Sequence, residues 1–378
     1  MGSDYLNRRW TLTTFSQRCK TKKSESKIML NRDVDLSLEL FRRQYLQLVE
    51  LQALTFPNLE DLRDVDIQRA LYESLFKPDS LQYAPPERYQ IRVLKELISL
   101  IENSIVDPDE DDILDDLVSY LANLLTSSIP SETGSAQQKT FVTYTVPGQL
   151  SYPPEDRQTL TMLESRSLIA SSGTTGLRTW EAALHLATYL MSPKGSMLVK
   201  NKNVLELGAG TGFLSILCAK FLEAALTLAT DGSQEVVEDM KNNIFLNGLD
   251  DQIIKSKLYR WGQILPHRAA DDQGQAWDVV LGADITFDTV SLPHLASSFS
   301  DIFLLSEDTL IIVAATMRNT TTIDNFISVC HARRFRIQDI DCHLPEAKDQ
   351  TGFFHPTSPE IRLFSIHAPE VQTDPFAS

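Results

Sequence analysis

The chain has 378 residues, with 51 Asp and Glu against 35 Lys and Arg, giving a formal net charge of -16. Hydrophobic residues make up 42% and charged residues 23%, ordinary for a soluble globular protein, and no apolar run approaches the roughly 18 residues that cross a bilayer. The acidic balance argues against a surface that tracks phosphates, which needs clustered Lys and Arg, while leaving room for a local basic patch, and suits a basic protein partner better.

The length exceeds that of a usual single domain, so two structural units are expected. Cys19, Cys218, Cys330 and Cys342 show no C-x-x-C spacing, which reads as a reducing compartment without a disulfide framework. The repeated pairs Cys330-His331 and Cys342-His343 could suggest a metal. They read more simply as neighbours in strands or loops, and no metal is expected.

Residues 1–27 hold seven Arg and Lys against Asp4 and Glu25. A presequence has this flavour, but the apolar residues define no amphipathic face, so a disordered cytosolic tail is expected over residues 1–30. Residues 31–128 read as a helical domain. Leu38, Phe41, Tyr45 and Leu48 repeat at three- and four-residue steps, as do Leu94, Leu97, Ile98 and Ile101 after Pro85-Pro86. A third stripe, Leu114, Leu117, Val118, Leu121 and Leu125, follows the acidic run 107–112, where acids favour the positive end of a helix. These stripes predict the core of a small bundle and carry no chemistry. The polar, turn-rich stretch 127–139 marks the boundary, and a second domain is expected over 138–370.

Phe141–Val146 and Thr159–Leu163 read as short strands. From Trp180 onward helix and strand alternate: helix 180–190, strand 203–207, helix 211–221, strand 225–230, helix 234–247 ended by Gly248, and strand 277–281. Thr309–Ala315 is a continuous apolar strand of the kind buried on both faces. That order predicts an α/β fold with a doubly wound, mostly parallel, Rossmann-like sheet.

The strongest motif is Val204-Leu205-Glu206-Leu207-Gly208-Ala209-Gly210-Thr211-Gly212, a buried strand running through a glycine turn into a helix. Glycine lets backbone approach a ligand closely, and the helix start offers unpaired N–H groups. Dinucleotide enzymes space these glycines G-x-G-x-x-G, whereas here the third comes one residue earlier, so a nicotinamide-dependent oxidoreductase fits poorly. Asp231 ends the next strand, 19 residues past Gly212, where a carboxylate can accept hydrogen bonds from two ribose hydroxyls. Trp261, just before Gly262, could pack on adenine or serve as core. Ala283 closes the strand facing the same crevice.

In Asp278-Val279-Val280-Leu281-Gly282-Ala283-Asp284-Ile285-Thr286-Phe287, a carboxylate stands at a strand end with an aromatic three residues on. Methyl transfer to lysine needs such a place. An ordinary lysine has a pKa of about 10.4, so presenting the neutral amine at neutral pH costs about 4 to 5 kcal/mol. An aromatic face that partly desolvates the amine lowers that cost, and a carboxylate can hold and orient it.

The G-x-G-x-G turn preceded by an acid resembles the S-adenosylmethionine form of the motif. Trp277–Phe287 is similar to the hallmark of the D-x-x-Y group of seven-β-strand protein methyltransferases. Ser172-Gly173-Thr174-Thr175-Gly176-Leu177-Arg178-Thr179-Trp180-Glu181-Ala182-Ala183-Leu184 and Ala315-Thr316-Met317-Arg318-Asn319 resemble segments of its elongation factor 2 lysine methyltransferase branch, as do Phe41–Leu46 and Pro85-Pro86 in the helical half. The resemblance implies that Trp180, Glu206, Gly208, Gly210, Asp231, Trp261 and Ala283 surround S-adenosylmethionine, while Asp284 and Phe287 face the lysine. It implies a cytoplasmic, monomeric enzyme with elongation factor 2 as its protein substrate and no direct nucleic-acid or membrane partner. Phe287 departs from the group's usual tyrosine, so no phenol donor is required at that position. Two other readings are an RNA or small-molecule methyltransferase and a non-catalytic scaffold. The absence of an Asn-Pro-Pro-Tyr-like sequence after the fourth strand speaks against the first. The intact glycines, Asp231 and Asp284 speak against the second.

Overall fold

The computed structural model describes residues 32–127, 139–148, 158–165, 175–266 and 276–370. The basic tail, most of the polar stretch read as a boundary, the loop between the first two strands and Ser172 to Thr174 lie outside the described residues.

The helical part comprises α1 (Arg32–Leu46), α2 (Leu59–Arg63), α3 (Val65–Leu71), α4 (Glu87–Ser104) and α5 (Asp115–Thr126). Asn58 and Asp64 cap α2 and α3 by accepting the N–H groups of Asp61 and Asp66. Pro86 stands at the N-cap of α4, where a missing N–H costs nothing. Leu94, Leu97 and Ile101 are fully buried there against Phe41 and Tyr45 of α1. Fully burying one such leucine stabilises by about 1.5 to 3 kcal/mol.

Two of the expected stripes need correction. On α5 the inward residues are Leu117 and Leu124, while Val118 and Leu125 are exposed. Two apolar rows run along this helix about 100° apart, and only one can face a core on one side. Leu48 lies beyond the end of α1 with φ 56, and its buried side chain joins the core of the second part.

That second part contains β1 (Thr140–Thr145), β2 (Thr159–Glu164), α6 (Glu181–Leu190), α7 (Pro193–Val199), β3 (Asn203–Leu207), α8 (Phe213–Phe221), β4 (Leu226–Asp231), α9 (Gln234–Leu246), β5 (Ile254–Leu258), β6 (Val279–Ala283), α10 (Leu292–Leu305), β7 (Leu310–Thr316), α11 (Thr320–Ala332), β8 (Arg336–Asp339) and β9 (Ile361–His367). The main sheet has the order β5-β4-β3-β6-β7-β9-β8. Its strands are parallel except for β9, which pairs antiparallel with both β7 and β8. Side chains alternate between two cores: Val204, Val279, Leu281, Ile312 and Ala314 enter one, and Leu205, Leu207, Val280, Ile311 and Val313 the other. A strand covered on both faces reads as an unbroken apolar run, which is why β7 was visible in the sequence.

The chain leaves β3 toward β4 on one side and returns to β6 on the other, so the order reverses between β3 and β6. Ligands of open α/β sheets bind at the carboxyl ends of the strands beside such a reversal. The β1–β2 pair forms a separate two-stranded sheet. Asn243 of α9 and Asn247 at its C-cap accept the Leu163 and Thr161 N–H groups along the outer edge of β2.

The helical part grips the second part at the loop before β9. Gln47 donates to the Phe354 carbonyl and accepts the Phe354 N–H, and Arg43 donates to the Thr351 carbonyl. His355 in the same loop meets His185 of α6, with their ring nitrogens 3.1 Å apart. Contact is thereby passed from α1 to the helix that opens the candidate site.

Candidate active site

A cavity of about 900 Å³ lies at the carboxyl ends of β3, β4 and β6. All nine residues singled out in the sequence, Trp180, Glu206, Gly208, Gly210, Asp231, Trp261, Ala283, Asp284 and Phe287, border it.

One end is made of backbone. Gly208, Gly210 and Gly212 have φ of 65, 54 and 82, the left-handed region that side chains disfavour. A Cβ on Gly210 would sit 3.2 Å from the Gly176 carbonyl, and one on Gly176 would meet Val236 at 3.0 Å. The segment before α6 is thus laid directly over the glycine turn, backbone against backbone. Thr179 and Thr211, with hydroxyls 2.8 Å apart, hold the two together. The Asp231 carboxylate accepts the Gly210 N–H at 3.1 Å and the Ser233 N–H at 3.0 Å, one on each oxygen. Each oxygen keeps a second acceptor site that could take a ribose hydroxyl. Burial raises its pKa, and the backbone N–H bonds partly offset this. The Trp261 ring edge lies 3.5 Å from where a Gly208 side chain would begin, placing an aromatic beside the turn.

Glu206 is 3% exposed, and its carboxyl accepts both the Ser215 N–H and hydroxyl at the start of α8. Burial pushes its pKa up to about 8 despite those bonds. Its visible work is to tie β3 to α8 beneath the glycine turn.

The other end is made of charged side chains. Asp284 has φ 50 and a side chain 16% exposed. Backbone strain of this kind persists only where the surroundings over-determine it. Here the Asp284 N–H is fixed on the Ala314 carbonyl, and its two oxygens accept the Thr316 N–H at 2.9 Å and the Thr316 hydroxyl at 3.0 Å. Burial raises its pKa, opposed by the Thr316 bonds and the Arg318 guanidinium. Arg318 stands 3.7 Å from Asp284 and 3.0 Å from Glu181, which also pairs with Arg178 at 2.6 Å. Both guanidiniums lie over the Trp180 ring, at 4.5 and 5.0 Å from its centroid, and its indole N–H donates to the Thr175 carbonyl. Trp180 therefore belongs to the charged end of the cavity.

Phe287 is 64% exposed at the mouth. The sequence reading has this ring desolvating an amine. In the free protein the ring is itself in water, so any desolvation needs the substrate to cover it.

The sequence reading gave no role to Gly176, Thr179, Glu181, Thr316 or Arg318. The signal was present in the segments around Trp180 and Arg318, which stand out by resemblance, but nothing local says that they meet. Among the described residues, no group of three or more His, Cys, Asp or Glu side chains could hold a metal. Cys330 is buried in the core with its thiol pushed up to about 12, and Cys342 and His343 lie in a loop. No described helix is long and apolar enough to cross a membrane.

A family described as lysine methyltransferase matches residues 156–332. The chain is 43% identical over 329 residues to the protein-lysine N-methyltransferase EFM3 of Chaetomium thermophilum, covering 85% of this chain and 95% of that one. It is 33% identical to the Saccharomyces cerevisiae protein-lysine N-methyltransferase EFM3, over 44% of this chain and 52% of that one. It is 29% identical to the human protein-lysine N-methyltransferase EEF2KMT, covering 78% and 87%.

Proposed function

The chain belongs to the S-adenosylmethionine-dependent protein-lysine methyltransferases, and on that premise we propose that its substrate is a lysine of translation elongation factor 2. The observation carrying this reading is the extent of the likeness to human EEF2KMT. It spans 78% of the chain and so reaches well outside the segment 156–332 that matches the general family. Phe41–Leu46 and Pro85-Pro86, by which the helical half resembles the elongation factor 2 branch, lie in that outer region.

Within the cavity we assign Gly208, Gly210, Asp231, Trp261 and Ala283 to the cofactor, with Glu206 beneath its amino-acid end and Trp180 where cofactor and substrate meet. Asp284 and Phe287 are assigned to the lysine. The glycine walls that a Cβ would block and the carboxylate at the tip of β4 support the fit to S-adenosylmethionine. When bound, that group supplies a methyl on a positively charged sulfur. This chain's part is to align an amine with it, since alignment contributes most to an in-line displacement. The reading places the enzyme in the cytoplasm, where translation occurs, acting as a monomer.

The test is incubation of the full chain with tritiated S-adenosylmethionine and an extract of cells lacking the enzyme. Label should enter a lysine of elongation factor 2, identified by mass spectrometry. Label in another protein, with elongation factor 2 unmodified, would overturn the substrate assignment and leave the lysine chemistry standing.

A further inference from the structure

Four charged groups crowd the reacting end, drawn from three separate elements. Arg178 and Glu181 come from α6 and its approach, Asp284 from the end of β6 and Arg318 from the end of β7. Two cations and two carboxylates make this cluster neutral. His294 of α10 also borders the cavity, and His355 faces Glu181 from the loop before β9. Burial holds the His355 pKa below its ordinary value, so it adds no charge at neutral pH.

Neutrality matters because the substrate arrives as an ammonium and must react as an amine. The ammonium first gives one proton to solvent. The lone pair so freed forms the new N–C bond while the donor's C–S bond breaks, the electron pair staying on sulfur, and the product is the methylammonium. A bare pair of carboxylates would hold the incoming nitrogen in its charged form and deprive it of that lone pair, whereas a neighbouring cation lowers a lysine's pKa. Asp284 alone could orient the nitrogen, but together with Glu181 it would over-stabilise the ammonium.

We propose that Arg318 is a positioning residue whose guanidinium balances Asp284 and Glu181, so that the substrate lysine is held at Asp284 as a neutral amine. Its placement suits the task. At 3.7 Å from Asp284 it is close enough to compensate the charge but beyond hydrogen-bond distance. The Thr316 N–H and hydroxyl orient the carboxylate without Arg318. Arg318 is itself anchored by Glu181 at 3.0 Å and by the face of Trp180, so it is restrained from collapsing onto Asp284. The inference rests on the assignment of Asp284 to the lysine.

The test is the pH dependence of label transfer from tritiated S-adenosylmethionine into extract protein, using the full chain between pH 6 and 9.5. Arg318→Gln leaves Arg178 on Glu181 but one carboxylate in excess, raises the pKa of the bound amine and should move the acid limb up by about one pH unit, tempered by the half-exposure of the guanidinium. Arg318→Lys should keep the parent limb. Glu181→Gln, which leaves an excess cation, should move it down, and it decides the matter should Arg318→Gln fail to melt cooperatively. An unmoved limb with a uniformly lower rate overturns the proposal, as does a shift that Arg318→Lys fails to restore. Asp284→Asn, run alongside, separates the two readings. Parent-like turnover in that variant removes the lysine from Asp284. Loss of turnover there, with the Arg318→Gln limb unmoved, keeps Asp284 and discards the charge balance.

Discussion

The two ends of the cavity are built on different principles. The glycine end is backbone: left-handed turns at 208–212 and their N–H groups, with one carboxylate, Asp231, from the tip of β4. The charged end is side chains gathered from positions 178, 181, 284 and 318. Backbone built into a strand and a turn holds its shape whatever the neighbours do. A charge cluster depends on every member, and removing one leaves the others uncompensated. The difference teaches that binding and turnover should fail separately, and each variant below is a way to break that separation.

The largest effect is expected at Asp284. Asp284→Ala should lower turnover by about 10²- to 10⁴-fold, the range for losing a positioned group at the reacting atom. Affinity for S-adenosylhomocysteine should stay within a few-fold, measured by calorimetry. Loss of both would place Asp284 among the cofactor contacts and dissolve the contrast between the ends. At the other end Asp231→Ala should weaken S-adenosylhomocysteine binding by about 1.5 to 3 kcal/mol through lost charge-assisted hydrogen bonds. At saturating cofactor its turnover should recover. Turnover that stays low there would show that Asp231 reaches the chemistry.

Glu206 lies under the glycine end and gives a stability signal of calculable sign. Its carboxyl titrates near 4.5 when unfolded and near 8 when folded. Between those values the folded protein keeps a proton that the unfolded chain has released. The stability this group lends is complete below about 4.5 and drains away as the pH rises to about 8. Glu206→Gln keeps an acceptor for Ser215 and has no proton to lose. Its melting temperature should therefore gain on the parent from pH 5 to 8, by an amount worth about 3 to 4 kcal/mol at the upper end. A gap that stays flat with pH would mean that Glu206 is ionised throughout. If the same variant binds S-adenosylhomocysteine like the parent, Glu206 braces the turn without touching the ligand.

Legibility in the sequence divides along the same line. The glycine turn, Asp231, Ala283 and Asp284 each sit at the end of an apolar strand, so one window of sequence displays both the strand and the group it delivers. Arg318 and Glu181 lie 137 residues apart and meet only because β7 and the approach to α6 end at the same mouth. No local pattern marks that meeting. The helical half shows a second limit. Periodicity finds a helix, yet on α5 it could not say whether the row of Leu117 or that of Val118 turns inward, because the choice belongs to the neighbouring helix. Leu48 fitted the α1 stripe by spacing, but the chain leaves the helix before it and sends that side chain into the other core.

Phe287 should give the smallest effect. In the sequence it has the task of lowering the lysine's pKa by desolvation, which predicts that Phe287→Ala moves the pH optimum upward. A ring that is 64% exposed excludes little water before the substrate arrives, and the charge that sets the amine's protonation lies deeper, at Asp284 and Arg318. What an exposed aromatic at a rim does offer is area for the substrate to cover. The expected result for Phe287→Ala is a KM for the protein substrate raised a few-fold, with the acid limb moved by less than about half a pH unit. Phe287→Tyr should match the parent, because the ring face is retained and the phenol can stay in water. A shift in the alanine variant as large as that in Arg318→Gln would return the desolvating role to Phe287. The rim would then close tightly over the amine, and the free structure would understate how dry the charged end becomes once the substrate is seated.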